Sequence, residues 1–346
     1  GWKAEIVTVD PNFSDFPQDV FLGQNLPQNL IVHQVSAFSK KWTSKMGLGS
    51  IALRSICFYR KYVDQLLKKQ HFDLIYFSTT QFPLLILGAH WKKKFNIPYV
   101  IDMQDPWHST YYEDKPKHER PPKYWFSYRL NKYLEPIAMK EVDGLISVSE
   151  DYLNILRKRY QRLNKIPSKT ITFAAFKPDF DFVNHNQKLF SLAFQKDPNL
   201  INIVYVGRGG HDMHTAAHLL FTAFAKGLNS DPTNFKKLRF HFIGTSYAPN
   251  GTGIDTISTI AKTFNLSANV TEYTNRIGFY ESIKNLQQAD GLIIIGSNDK
   301  AYTASKLYTY ILTKKPLLAL FHPQSSATKV ISDCDAGELI TFNQNI

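Results

Sequence analysis

Cysteine is nearly absent: Cys57 and Cys334 are the only two in 346 residues, and they lie far apart. No disulfide framework holds such a chain, and the scarcity suits a reducing compartment. Long apolar runs are lacking as well, none approaching the ~20 residues of a membrane-spanning helix. The third shortage is acid. Asp and Glu number 29 against 41 Lys and Arg, a formal net charge of +12. The deficit is uneven: residues 1–172 carry 25 basic against 16 acidic side chains, and residues 173–346 carry 16 against 13. A basic first half suits anionic partners such as acidic lipid surfaces, phosphorylated acceptors or nucleic acid, with generic solubility as the alternative. P-loop, nucleophile-elbow and zinc-ligand patterns are missing.

What is present is a globular composition, 43% hydrophobic, with length enough for two domains. The chain opens on Gly1-Trp2-Lys3, and strand-like runs lie at both ends, so both read as cut from a longer protein. Strands are predicted at Ala4–Val9, Leu30–His33, Leu74–Phe77, Tyr99–Asp102 and Gly144–Val148, with helices over Ile51–Lys69, Pro83–Lys94 and Glu150–Tyr160. An irregular stretch from about Thr170 to Leu200 separates a second alternating set. Its strands are Ile201–Val206, Leu238–Ile243, Val270–Tyr273, Leu292–Ile295 and Leu317–Phe321. Strand–helix alternation implies parallel sheets covered on both faces, with ligands beyond the carboxyl ends of the strands. The fold class is therefore α/β with two Rossmann-like doubly wound domains facing a cleft. Residues 1–172 form the first domain, with its first strand missing; 173–199 connect; 200–346 form the second, with its end missing.

Two strand-to-helix turns in the second half carry the clearest chemistry. Gly207-Arg208-Gly209-Gly210 follows the strand Ile201–Val206. Glycines there admit a phosphate close to the backbone, and Arg208 can grip it bidentately. Asp212 stands where a dinucleotide fingerprint needs its third glycine. The second turn follows Leu292–Ile295 and runs Gly296-Ser297-Asn298-Asp299 into a helix expected to start near Thr303–Ser305 and to stop before Pro316. Lys306 would then sit in a first helical turn, unfavourable for a cation unless an anion is near; a solvated lysine is the alternative. In the first half, Ser78-Thr79 and Met103-Gln104-Asp105-Pro106-Trp107-His108 lie at strand ends, where Asp105 and His108 suit acid–base work or plain capping. Tyr111–Tyr133 interleaves aromatic and basic residues around Pro121-Pro122. That fits a membrane interface, an acceptor surface, single-stranded nucleic acid or a local packing insert. His214 and His218 are four apart, but no third ligand is evident, so no metal site is assigned. Asp179-Phe180-Asp181 is read as loop.

Several stretches together resemble the GT-B glycosyltransferases of the family 4 type: FDLIYFSTTQFPLLILGAHWKKKFNIPYVIDMQDPW, VDGLISVSEDYLNIL, INIVYVGRGG, ADGLIIIGSNDKAYTASK and SKLYTYILTKKPLLAL. The resemblance spans most of the chain and rests on the order and spacing of these segments. It implies that Gly207, Arg208, Gly209, Gly210, Thr303, Ser305 and Lys306 bind the donor diphosphate. By the same resemblance Tyr273, Thr274, Asn275, Arg276 and Thr309 line the nucleobase and ribose. Ser297, Asn298 and Asp299 would meet the donor sugar. From their place at strand ends of the first domain, Ser78, Thr79, Trp107 and His108 are expected on the acceptor side, with Asp105 catalytic. The family usually carries two glutamates eight positions apart in the second turn and helix, where this chain has Ala301 and Thr309.

The expected activity is transfer of a sugar from a nucleoside diphosphate sugar to a glycan, lipid-linked or other acceptor, retaining and metal-independent, in polysaccharide biosynthesis. No cofactor is expected beyond the nucleotide sugar. The location would be cytoplasmic, with peripheral contact on the inner face of an anionic membrane; nucleic acid is the less favoured partner. The alternatives are a non-catalytic nucleotide-sugar or glycan-binding protein and a sugar-nucleotide epimerase on the same fold.

Overall fold

A computed structural model describes residues 1–346 apart from 15–18, 28, 111, 118, 119, 121, 122, 301 and 343–346. Ala301, Tyr111 and Pro121-Pro122 therefore lie outside the described residues. The chain divides into two compact units, Gly1–Thr172 and Phe173–Ile346.

The first unit contains β1 (Glu5–Val9), β2 (Ile31–Val35), α1 (Lys40–Thr43), α2 (Ile51–Lys69), β3 (Ile75–Ser78), α3 (Ile86–Phe95), β4 (Tyr99–Met103), α4 (Tyr124–Met139), β5 (Gly144–Ser147), α5 (Glu150–Arg159) and β6 (Ser168–Thr170). Strands β3-β4-β5-β6 form a parallel sheet in that order, and β1 pairs with β2 in a separate parallel pair. Phe77, Tyr99, Ile101, Met103, Leu145 and Leu153 build the core, with Trp91 of α3 stacked 6.0 Å from Phe77. Asn96 ends α3 in the left-handed conformation, one of the few side chains that tolerates it. The Ser149 hydroxyl caps α5, as its position before Glu150 predicts.

The second unit contains α6 (Lys177–His185), β7 (Ile201–Val206), α7 (His214–Ser230), α8 (Pro232–Phe235), β8 (Leu238–Ile243), α9 (Ile257–Thr263), β9 (Val270–Tyr273), α10 (Phe279–Gln288), β10 (Gly291–Ile295), α11 (Leu307–Thr313), β11 (Leu317–Phe321), α12 (Ser326–Asp333) and β12 (Glu338–Thr341). Its six strands are parallel in the order β12-β11-β10-β7-β8-β9. All five residues of β10 are buried, which is why the Leu-Ile-Ile-Ile run carries no polar alternation. The sequence runs one way from β7 to β9 and the other way from β10 to β12. The switch point thus falls between β7 and β10, where such sheets leave a crevice at the strand ends.

Two local expectations are corrected. Asp179-Phe180-Asp181 is not loop: it lies in α6, where Pro178 occupies the first turn and Phe180 and Val183 are buried. The helix after β10 starts at Leu307 rather than near Thr303–Ser305. Backbone bonds from Ser305 to Thr303 and from Leu307 to Ala304 make tight turns first, so Lys306 is the residue before the helix, not inside it.

Candidate functional site

At the switch point, Tyr310 of α11 fixes the geometry. Its buried hydroxyl accepts from the Val206 N–H at 2.6 Å and donates to the Val206 carbonyl at 3.1 Å, joining α11 to the last residue of β7. Lys306, one turn earlier, thereby reaches the same carbonyl, with Nζ 3.5 Å away. The Gly207–Gly210 turn begins at the next residue.

Arg208 is held by three contacts. Its two terminal nitrogens donate to the two carboxylate oxygens of Asp212 at 2.7 and 2.6 Å. Its guanidinium lies 5.1 Å from the Tyr302 ring centroid, and its carbonyl accepts from the Tyr205 hydroxyl at 2.9 Å. End-on pairing with Asp212 leaves the Nε edge of the fork without a bond to that carboxylate. Burial works to raise the Asp212 carboxyl, but Arg208 overrides it and holds it below the usual carboxylate range. Asp212 also ties the two turns together: its carbonyl accepts from the Asn298 N–H at 2.8 Å, and the Ser297 hydroxyl bonds its side chain.

Arg276 completes a cationic group. It stacks 5.0 Å from the Tyr247 ring centroid, beyond β9. Gly244, in the left-handed conformation at φ +73°, leaves room beside the Arg276 backbone, whose Cα would lie 3.8 Å from an added Cβ. Lys306 is exposed as a residue. Even so, loss of water around its ammonium, then the charges of Arg276 and Arg208, push its pKa down to about 8. A lysine crowded by two arginines is a site short of negative charge.

The glycines in the first turn have a packing reason of their own. A Cβ at Gly209 would sit 2.8 Å from Thr256 Oγ1, 3.0 Å from Ile257 Cγ1 and 3.1 Å from Thr245 Cβ. The Gly209 N–H donates to the Thr245 carbonyl at 2.8 Å, and its own carbonyl accepts from the Thr256 hydroxyl. Gly209→Ala is expected to cost about 1–3 kcal/mol by overpacking, read as a lowered Tm. Glu272 underlies this contact. It accepts from the Thr256 and Ser258 N–H groups at 3.0 and 2.7 Å, at the start of α9, and from the Thr245 hydroxyl at 2.6 Å.

The structure therefore brings Gly207–Gly210, Ser297–Asp299, Thr303–Lys306 and Arg276 together at the carboxyl ends of β7, β9 and β10. Thr309 lies one turn into α11, its N–H bonded to the Lys306 carbonyl. Tyr273 and Thr274 direct their carbonyls to the Gly244 and Ser246 N–H groups, and Asn275 accepts from the Gly251 N–H at 2.8 Å. His211 and His214 meet with ring centroids 4.8 Å apart beside the turn, while His218 faces Phe264. Burial, then the neighbouring histidines, lower the His214 pKa and keep it neutral at pH 7. Among the described residues no three His, Cys, Asp or Glu side chains are grouped for a metal.

The residues assigned to the first unit gather at the ends of β3 and β4. Gln104 bridges the Ser78 hydroxyl at 2.9 Å and the Asp102 carboxylate at 3.2 Å, and the Tyr76 hydroxyl donates to Asp102 at 3.0 Å. The Thr79 hydroxyl accepts from the Gln81 N–H, and Asp105 is exposed. Trp107 is a core residue, 4% exposed, stacked 5.6 Å from Phe82 and donating to Asn131 at 3.1 Å. The His108 N–H donates to the buried Glu135 at 3.1 Å. The His108 pKa is lowered by burial, then by Arg159 and Lys132.

Residues 41–172 match the model of Glycosyltransferase Family 4. The chain as a whole resembles solved structures of GT-B fold with two Rossmann-like domains. The UDP-forming trehalose-phosphate synthase of Burkholderia xenovorans is 11% identical at TM-score 0.54, covering 87% of this chain and 71% of that one. The Burkholderia vietnamiensis synthase is 9% identical at 0.53, over 92% and 78%. Anabaena HepE in complex with UDP is 13% identical at 0.55, over 98% and 86%. No curated protein matches the chain. The chain shares the GT-B fold of these structures.

The residues that hold the site carry weaker local signals than those lining it. Asp212 registered only as a broken glycine pattern, and Tyr310 and Glu272 not at all. Each acts through a partner distant in sequence or set by the turn, and no local pattern announces such a bond. Asp102 was noted only as a strand end, although its spacing two residues before Gln104 marks the same turn.

Proposed function

We propose that the chain transfers a sugar from a nucleoside diphosphate sugar to a glycan, lipid-linked or other acceptor. The second unit takes the donor and the first presents the acceptor, at an anionic membrane. The carrying observation is the convergence of Arg208, Lys306 and Arg276 at the switch point of the six-stranded sheet. Departure of a nucleoside diphosphate builds negative charge on its phosphates, and preplaced cations stabilise it without reorganising. The Nε edge of Arg208, oriented by Asp212, is suited to a phosphate oxygen, and Lys306 supplies a point charge. These cations can do the work of a divalent ion, so the reaction is written as metal-independent; retention at the anomeric carbon rests on the family resemblance alone. UDP is the first nucleotide to test, because the HepE structure holds it.

The test is calorimetric titration of the whole chain with UDP and GDP from pH 7 to 9.5. A phosphate anion favours the charged form of Lys306, so binding takes up a proton once the pH passes about 8. Affinity for UDP is expected to fall about tenfold between pH 7 and 9.5, and Lys306→Gln to flatten that slope. The stability effect has the opposite sign. A lysine whose folded pKa is below its unfolded value of 10.5 binds fewer protons when folded, so the unliganded chain gains stability as pH rises above about 8. Affinity that does not change with pH, or no nucleotide binding at all, overturns the proposal.

Thr309 favours a second reading, a non-catalytic nucleotide-sugar binder, because it offers the donor a hydroxyl in place of a carboxylate. Release of free sugar from UDP-sugars by the bound protein would exclude that reading.

A further inference from the structure

α4 is apolar on both sides. Leu130, Leu134, Ala138 and Met139 face the core of the first unit. The outward side repeats at helical spacing through Trp125, Phe126, Arg129, Lys132, Tyr133, Pro136, Ile137 and Lys140, all exposed. Trp125 is 65% exposed, Phe126 37%, Tyr133 70% and Ile137 38%. A helix lying on a folded core normally turns polar residues outward.

Charge on this face has one sign. Lys123, Arg129, Lys132 and Lys140 are exposed, and the one carboxylate of the helix, Glu135, is buried and paired to Arg159. The Arg129 guanidinium lies 5.5 Å from the Trp125 ring centroid. Aromatic rings at headgroup depth, basic side chains reaching lipid phosphates and an aliphatic residue between them describe a helix lying in a bilayer interface. Single-stranded nucleic acid shares the aromatic and basic chemistry but binds by aromatic stacking, and Pro136 and Ile137 present no aromatic ring to a base.

We infer that the outward face of α4 docks on an anionic lipid bilayer, through Trp125, Phe126, Tyr133 and Ile137 in the interface and Arg129, Lys132 and Lys140 on the headgroups. This names the element that makes the membrane contact and stands whether or not the chain transfers sugar. The face is exposed, and its span of about 24 Å at 1.5 Å per residue is that of a helix of 16 residues.

The whole chain is sedimented with vesicles of phosphatidylcholine alone and of phosphatidylcholine with phosphatidylglycerol. Binding is expected only to the anionic vesicles. Arg129→Gln with Lys132→Gln should weaken it about 25-fold, at roughly fivefold per basic residue near the surface. Brominated lipid in the anionic vesicles should quench tryptophan fluorescence, and Trp125→Phe should remove most of that quenching although the other tryptophans of the five remain. Equal binding to neutral vesicles, affinity unchanged in the double variant, or quenching that survives Trp125→Phe overturns the inference. So does binding to poly-uridylate that anionic vesicles fail to compete.

Discussion

Arg208→Ala is expected to weaken UDP binding at least ~100-fold, because a charge-assisted hydrogen bond contributes about 1.5–3 kcal/mol and a fork makes two of them. The loss has a second source. Asp212 remains, and without Arg208 to neutralise it a carboxylate faces the incoming phosphates. Arg208→Lys keeps the charge but not the planar fork, so it should recover only part of the affinity. Asp212→Ala separates the two contributions. It removes the repulsive carboxylate and the clamp together, so its effect should be smaller than that of Arg208→Ala. Lys306→Ala acts at the other wall of the same turn pair and should cost about tenfold or more. Titration calorimetry measures all four. Unchanged affinity in both Arg208→Ala and Lys306→Ala would place the nucleotide elsewhere.

The strands were legible because they are buried on both faces. β7, β10 and β11 are nearly continuous apolar runs, β8 is interrupted by Arg239 and His241, and the bounds of all four are within a residue of the expected ones. Among the elements that escaped, three did so for opposite reasons. β6, Ser-Lys-Thr, is short and polar and exists by its pairing with β5. α6 buries only two side chains among Asp, Asn and Pro, so periodicity has little to register. α4 has the reverse problem: apolar residues on both faces erase the stripe that marks a surface helix, and Pro136 interrupts it. Within the site, Gly207–Gly210, Lys306 and Ser297–Asp299 were legible because turns at strand ends have local signals. Their convergence required the order of the sheet, since the switch point depends on which strand pairs with β7. Lys306 gained its explanation from tertiary structure too. It sits before α11 rather than inside it, and its depressed pKa comes from crowding and two arginines rather than from a helix dipole.

Glu135→Ala should be the most destabilising single change in the first unit. The carboxylate is 1% exposed and accepts from Arg159, from the Tyr160 hydroxyl at 2.9 Å and from the His108 N–H at 3.1 Å. Burial raises its pKa against the pull of Arg159, so the charge is held at a desolvation cost that its three partners offset. Removing it strands all three. Arg159 also donates to the His108 carbonyl at 3.1 Å, which makes Glu135 the point where α4, α5 and the loop after β4 are joined. Breaking a buried pair from one side costs about 3–5 kcal/mol. Arg159 keeps partial access to water, with 27% of its side chain exposed, which favours the lower end. A loss near 3 kcal/mol lowers Tm by about 6–12 °C for a unit of this size. The paired change Glu135→Leu with Arg159→Leu should be milder than either single change, because no uncompensated charge is left buried. Hydrogen exchange gives the local readout: the His108 amide loses its acceptor in Glu135→Ala and should exchange faster, while the amides of β7 and β10 should not change. A Tm within 2 °C of the parent, or an unaffected His108 amide, would mean that Glu135 does not hold the β4–α4 loop in place.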